Sequence, residues 1–548
     1  MSLLDPVVEP ASVAQPPAAP DPVPRLPRIW PIGIFLVTLI VYAIFTNQVL
    51  IYTNPPTGDQ PFYLHTAISI VQDHDINESN NYADQDERQY YPRSVWEDGY
   101  YPAGFKGIPA PYTLPPHNGH TTNRPATEQY SKHGLGLSVL IVPGWALGVH
   151  LDPASVGLAE LDQPTAGWPL VVYQLNILGA LLAAQVFLLA YEATRRRGIA
   201  LVVWLALAFS NPLMTYSYLI FPELPAGLCA IYAFRRLRLG WAANGRLQLL
   251  LIGLALGFMP WLHARFLPIM GALALYAIWA WRRARQDSPA GRGTWPRLVM
   301  ALAPIGISLV LLMDFYYWLY GTVLPNTGDH AGFINPLTDP LGLPVSMVGL
   351  LIDQQWGLLI AAPVYLLAFV GMAALWITPG QRATAGWLLF ALIPYYLVVA
   401  EYRQWWGEWC PPARYLATIA PLLALPLAQG LLALQRSRLY NVLFGFLAAL
   451  GWAYMAGLLA HPRSFWNHPS GQSDLFLWVS KEFHLNLVPV FPAIVPWSWD
   501  HTAPIKWGLV IGWGAIALVI FLAGLLLLQE SRARGAVSRQ PSVVSGQG

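Results

Sequence analysis

Along most of this chain, apolar runs alternate with short polar connections, many of them rich in arginine. A helix that crosses a bilayer needs about 20 predominantly apolar residues. The pattern predicts such helices at 30–52, 169–191, 199–220, 223–235, 247–261, 265–281, 298–320, 355–377, 384–402, 414–433, 439–460 and 507–528. The 223–235 run is short and relies on snorkelling of Arg235 and Arg236. Residues 1–29 carry eight prolines and no apolar periodicity, which reads as a disordered tail. The 30–52 run follows too long a polar leader for a cleaved signal peptide, so it is expected to remain as an anchor.

The stretch 134–150, GLGLSVLIVPGWALGVH, is apolar but broken by glycines and Pro143. Counted as a span, it places Arg195, Arg196, Arg197 and the basic clusters at 235–246 and 282–297 outside. Treated as an interface helix or a re-entrant segment, it leaves every short basic loop on one side, as the positive-inside rule requires. The second reading gives twelve spans with both termini cytoplasmic. On that topology the inner side carries 20 Lys+Arg against 6 Asp+Glu, and the outer side 11 against 22. Asp314, within a span, completes the net charge of +2.

Composition agrees. The 548 residues are 55% hydrophobic and 11% charged, whereas soluble proteins are about one quarter charged. Two cysteines, Cys229 and Cys410, exclude a disulfide scaffold, and a net charge of +2 argues against a nucleic-acid partner. The expected fold is all-α: a polytopic integral membrane protein of about 12 transmembrane helices, with a long first outer loop carrying interface helices. Its organisation reads as a tail (1–29), a membrane module (30–320) that includes outer loop 53–168, C-terminal helices (321–528) with outer loops 321–354 and 462–506, and a cytoplasmic tail (529–548). The long connections all face outward, and loops of that length in a compact membrane fold are usually functional.

Immediately after the first span comes PPTGDQPFYL (55–64), then an amphipathic stretch with Tyr63, Ala67, Ile70 and Val71 at helical spacing. Asp59 reads as a helix N-cap ahead of Pro61, and the same position suits a catalytic carboxylate at the membrane surface. The pair Asp73 and Asp75 would lie about 20 Å from Asp59 if 60–72 is one helix. One cation cannot bridge that gap, and both read as turn residues. Asp84, Asp86 and Glu87 are alternative second carboxylates if the loop folds back.

This order of elements resembles the GT-C superfamily of polyprenyl-phosphate-sugar-dependent glycosyltransferases, in particular its protein O-mannosyltransferase and aminoarabinose transferase branch. GDQPFYL (58–64) resembles the Asp-Glu-x-x-Tyr element of that branch, with Asp59 at the Asp and Gln60 in place of the usual Glu. SKHGLGL (131–137) stands where those enzymes have His/Lys-Pro-Pro-Leu, with glycines for the prolines, and Phe221-Pro222-Glu223 resembles their Pro-Glu. The likeness extends over roughly 30–285, and beyond that only through the alternation of spans. It implies a polyprenyl-phosphate-linked sugar as donor, an inverting attack at the anomeric carbon with Asp59 as base, and lipid-phosphate contacts from Lys132 and His133. In some members a divalent cation (Mg or Mn) assists, for which Asp59 would be the ligand.

Cations on the acidic outer side are the natural partners of a lipid phosphate. Arg265 lies in the tight turn PWLHAR (260–265), and Arg403 and Arg414 flank QWWGEWCPPA (404–413). Two readings of the last group fit. One is an aromatic belt with snorkelling arginines; the other is a phosphate clamp in which Trp405 and Trp406 pack on the prenyl chain or a sugar. Arg265 either joins that clamp or pairs with Glu223. Asp314, an acid at membrane depth, is a functional candidate or a partner of Arg265 or Arg403. Glu223 also suits the dipole of the helix it begins. Outer-loop histidines lack metal-ligand spacing, and Cys410 is expected as a free thiol.

The leading functional expectation is therefore a glycosyltransferase of the cytoplasmic (inner) membrane. It would act at the outer face on a lipid, glycan or protein acceptor, with membrane lipids as its surroundings. A transporter or lipid flippase would need several ionisable residues near the midplane. A non-catalytic assembly protein would not need phosphate-binding arginines beside span ends.

Overall fold

In the computed structural model, residues 26–46, 56–91, 122–152, 167–287, 295–324, 332–334, 339–495 and 504–537 are described. Most of the N-terminal tail, the centre of the first outer loop and the C-terminal tail lie outside them. The described chain is helical, and its only bridges between extended residues are two isolated ones, Phe333 with Tyr402 and Cys410 with Asn467.

The helices, numbered here in chain order, are α1 (Ile29–Phe45), α2 (Gln60–Gln72), α3 (Ser79–Asp84), α4 (Leu135–Leu151) and α5 (Gly167–Thr194). They continue with α6 (Arg197–Ala208), α7 (Glu223–Arg238), α8 (Arg246–Leu262), α9 (Leu267–Gln286) and α10 (Trp295–Tyr320). The C-terminal part adds α11 (Gly342–Ile352), α12 (Leu367–Ile377), α13 (Arg382–Glu401), α14 (Ala424–Ala433), α15 (Arg438–Ala460), α16 (Asp474–Phe483) and α17 (Trp507–Val537).

Among the described residues, six segments are long and apolar enough to cross a membrane: Gly167–Thr194, Ala264–Gln286, Trp295–Tyr320, Arg382–Glu401, Arg438–Ala460 and Trp507–Arg534. The other predicted spans correspond to shorter apolar helices, except 223–235, whose helix carries Glu223 at one end and three arginines at the other. Three spans are broken, and each break contains proline, which has no N–H for the helical ladder. The 199–220 run is α6, a break at Pro212 and a single turn at Leu213–Tyr216. The 355–377 run is interrupted at Pro363, and the 414–433 run opens as 3-10 turns around Pro421. Irregular backbone in a membrane fold persists only where protein buries it, and residues 210–227 are buried without interruption.

Helix direction sorts the charges. α7 runs from Glu223 to Arg235, Arg236 and Arg238, while α8 returns from Arg246 to Leu262. α9 ends on Arg283 and Arg285, and α10 returns from Arg297 to Tyr320. Arginine-rich ends therefore gather on one side and the candidate residues on the other. At the arginine end, Arg235 ties α7 to α5 through Glu192 and Gln185.

The ambiguous 134–150 stretch is the continuous helix α4, with Pro143 inside it. Its first turn meets Trp261 and Leu262 at the end of α8, and its middle meets Leu170, Val171 and Gln174 near the start of α5. Both neighbours are helix ends on the candidate-residue side. α4 thus packs on the candidate-residue ends of α8 and α5.

Candidate functional site

The site begins where the chain turns into α2. Gly58 lies in the left-handed region at φ 61°, and Asp59 follows at the N-cap position, with Pro61 in the first turn. The Asp59 carboxylate makes no capping hydrogen bond. Its Oδ2 accepts from Arg414 Nη2, and its Oδ1 lies 4.0 Å from His133 Nε2. Gln60, the departure from the Asp-Glu pattern, is buried and accepts from the Ile220 N–H at 2.9 Å. It thereby fastens the start of α2 to the segment leading into Glu223.

Glu223 opens α7 and is fully buried. Its Oε1 accepts from Arg265 Nη2 at 2.6 Å and from Arg414 Nε at 3.2 Å. Arg414 also donates from Nη1 to the Gly407 carbonyl at 3.0 Å. The proline break before α7 sets this meeting. Asn211 donates to the Pro412 carbonyl at 3.2 Å and Tyr216 to the Pro411 carbonyl at 2.6 Å, two and three residues before Arg414. Aromatic faces hold both guanidinium groups flat: Arg414 lies 4.2 Å from the Phe221 ring centre and Arg265 4.6 Å from that of Tyr415. Two carboxylates and two guanidiniums thus form a balanced chain, Asp59, Arg414, Glu223 and Arg265, buried except at Asp59, which faces the cavity.

Burial alone would raise the Asp59 pKa. Arg414, His133 and Lys132, together with the hydrogen bond from Arg414, outweigh it and hold the carboxyl well below the usual carboxylate range. Burial, opposed by Asp59, pushes His133 down to about 4, so its imidazole is neutral at pH 7. Burial and then Arg265 likewise push His263 well down, and its Nδ1 accepts from the Arg265 N–H at 3.1 Å.

These groups open onto a cavity of about 300 Å³. Asp59, Lys132, His133, Arg265 and Arg414 form its charged wall, and Tyr63, Tyr402 and Tyr415 stand beside them. The opposite wall is the end of α10: Leu312, Phe315, Tyr316, Leu319 and Tyr320. A second, almost wholly apolar groove of about 320 Å³ shares Leu135 with the cavity and follows α4, α8 and α10 past Val139, Leu254, Phe258 and Pro304. The glycines of SKHGLGL account for the close seat of α4. A Cβ at Gly134 would stand 2.5 Å from the Leu262 carbonyl oxygen, and one at Gly136 2.7 Å from the Trp261 carbonyl carbon.

Of the other residues singled out in the sequence, Arg403 is exposed and does not line the cavity. The cation that stands beside Arg414 is Arg265. Trp405 and Trp406 are buried in the core, stacked edge to face, with Trp405 against Gly349, so neither offers a face to a ligand. Asp314 is exposed on α10 and outside the cavity; Arg265, its expected partner, pairs with Glu223. Cys229 and Cys410 are free thiols.

Among the described residues, none of the first-loop acids after Asp59 reaches the cavity wall. Asp73 ends α2, Asp75 accepts from Ser69, Asp86 accepts from Asn81 and Gln89, and Glu87 is buried 3.8 Å from His65. Glu223, behind the wall, is the carboxylate that the two guanidiniums share. Sequence reasoning passed over Tyr63, His263 and Glu408, which also line the cavity. Their signals were adjacency to Asp59 in GDQPFYL, to Arg265 in PWLHAR, and a position inside the QWWGEWCPPA run.

A divalent cation fits this site poorly. Mg and Mn take several oxygen ligands, and among the described residues no three His, Cys, Asp or Glu converge on a metal site. Asp59 is a single carboxylate already engaged by a guanidinium, with Lys132 alongside.

The chain is an all-helical, polytopic membrane protein whose cavity joins a carboxylate–arginine chain to an apolar groove at one end of its helices. No protein-family model and no curated protein matches its sequence. Among solved structures, it is similar to the apo form of the Archaeoglobus fulgidus oligosaccharyltransferase, at 13% identity and a TM-score of 0.42. That match covers 83% of this chain and 58% of the other, so the chain spans less than two thirds of that protein. It is also similar to ArnT from Cupriavidus metallidurans bound to undecaprenyl phosphate, at 12% identity and a TM-score of 0.38, covering 92% of this chain and 78% of that one.

Proposed function

We propose that this protein is a membrane glycosyltransferase of the GT-C kind, taking its sugar from a polyprenyl-phosphate-linked donor at the outer face of the cytoplasmic membrane. One observation carries the reading. The cavity sets the Asp59 carboxylate and the cations Lys132, Arg265 and Arg414 on one wall, and it adjoins an apolar groove along α4, α8 and α10. A prenyl chain suits the groove, an anionic phosphate suits the cations, and a sugar suits the tyrosine faces.

In this reading the acceptor's hydroxyl or amine attacks the anomeric carbon and its proton passes to Asp59. The bond from the anomeric carbon to the phosphate oxygen breaks, and the electron pair leaves on the phosphate, where the cations stabilise it. Attack opposite the leaving group inverts the anomeric centre. A transporter or flippase would call for ionisable groups along a path through the bundle, and Asp314 on the exposed side of α10 does not supply one.

The test is transfer from radiolabelled polyprenyl-phosphate sugars by the purified full-length protein and by Asp59→Asn. The variant should lose about 10²–10⁴-fold in rate, the range of a positioned general base. Transfer by the variant at the wild-type rate would overturn the assignment of Asp59.

A further inference from the structure

In the closed charge chain, Arg414 holds the very carboxylate that the reaction needs free. We infer that the anionic phosphate of the donor displaces Asp59 from Arg414, so that donor binding itself turns Asp59 toward the acceptor, with Glu223 as the fixed anchor on which Arg414 changes partners. This rests on the lipid-phosphate donor reading above and adds an order to it: donor first, then a competent base.

The contacts of Arg414 are unequal, and that decides which one yields. Glu223 is sealed, at 0% side-chain exposure, and a second guanidinium, that of Arg265, also holds it. The Gly407 acceptor is a backbone carbonyl and cannot leave. The Asp59 side chain is 25% exposed and lines the cavity. An anion arriving through the cavity therefore meets Arg414 on its Asp59 side, while the Phe221 ring covers one guanidinium face.

Charge and hydrogen bonding favour the exchange. Asp59 and Glu223 balance Arg265 and Arg414, and Lys132 and Glu408 on the cavity wall balance each other in charge, so an incoming anion has to displace a carboxylate from its cation. Arg265 Nε is buried without a hydrogen-bond partner, so the site holds an unused donor beside the place where the phosphate would sit. Glu223 Oε2 likewise has no partner, and it offers Arg414 a second acceptor if the guanidinium rotates away from Asp59. A phosphate matches the guanidinium fork at least as well as a carboxylate does. Once released, Asp59 loses the contact that most suppresses its basicity and keeps its place at the start of α2. Glu223 and Arg414 are positioning residues for Asp59 in this scheme.

The test is a double-mutant cycle on binding, which needs neither the sugar nor the acceptor. Farnesyl phosphate and farnesol are titrated into the full-length protein in lipid nanodiscs for wild type, Asp59→Asn, Arg414→Gln and the double variant. Competition between Asp59 and the phosphate for Arg414 predicts that Asp59→Asn tightens farnesyl phosphate binding about 10-fold, and that this gain shrinks to less than about 2-fold in the Arg414→Gln background. An equal gain in both backgrounds would mean that Asp59 acts on the phosphate only through space, and the exchange would be wrong. If Arg414→Gln does not fold, Arg414→Met closes the cycle, because methionine fills similar length with neither charge nor donor; the gain should again collapse. Wild-type protein that binds farnesol as well as farnesyl phosphate would instead overturn the lipid-phosphate reading itself, a result distinct from loss of coupling.

Discussion

Arg414 and Asp59 lie 355 positions apart in the chain and share a hydrogen bond, while the same guanidinium donates to Glu223. This one side chain joins the start of α2 to the C-terminal half of the protein. Asp59 is thereby an ionised carboxylate at a cavity wall rather than the helix cap that its position suggests.

Glu223 should be the most sensitive member of the chain for stability. Glu223→Ala leaves Arg265 without a carboxylate and Arg414 with one of its two. Removing one partner from a buried ion pair costs about 3–5 kcal/mol. A clear fall in the thermal unfolding midpoint is expected, with a smaller fall for Glu223→Gln, which keeps an acceptor oxygen. Equal midpoints for wild type and Glu223→Ala would show that the network does not hold the fold.

The start of the first outer loop should loosen through Glu78 as pH rises toward 8. Burial, opposed by hydrogen bonds from Thr66 and Tyr82, raises this carboxyl from 4.5 to about 8. The folded state therefore retains a proton that the unfolded chain releases above about pH 4.5. The associated stability is complete below that pH and is lost as pH rises through 8. Hydrogen exchange in α2 and α3 should accelerate between about pH 5 and 8 beyond the intrinsic chemical rate and gain no further excess above that, and Glu78→Gln should remove the excess. An excess that persists in the variant would assign it to another group.

Gly136 should tolerate no side chain. A Cβ there would meet the Trp261 backbone at 2.7 Å, and backbone cannot turn aside as a flexible side chain does. Gly136→Val should displace the start of α4 together with Lys132 and His133, at a cost of about 1–3 kcal/mol for overpacking. Weaker binding of farnesyl phosphate is the expected readout, and unchanged binding would detach α4 from the site.

Val139 is half exposed in the apolar groove. Val139→Trp should fill the groove without touching the charged wall. If the prenyl chain lies there, the apparent KM should rise for a long-chain donor and stay unchanged for one whose chain ends before Val139. An equal rise for both donors would place the chain elsewhere.

What the sequence by itself determined is the set of properties that follow from local pattern. Apolar runs set where helices form, and each predicted span has a helical counterpart. The breaks at Pro212, Pro363 and Pro421 were not legible there, since Pro143, Pro260, Pro304 and Pro394 lie inside continuous helices. The short GDQPFYL run placed Asp59 directly before an amphipathic helix, and α2 occupies 60–72 as the spacing implies. Only the tertiary structure decided which charges meet. Glu223 and Arg414 stand at ends of different segments, and nothing in either local sequence distinguishes Arg414, which enters the site, from Arg403, which is exposed. Likewise the aromatic run holding Trp405 and Trp406 reads as a ligand surface, yet packing turns it into the core. An ion pair depends on two positions converging in space, and convergence across 355 residues is set by how the broken helices stack, which no single stretch of sequence encodes.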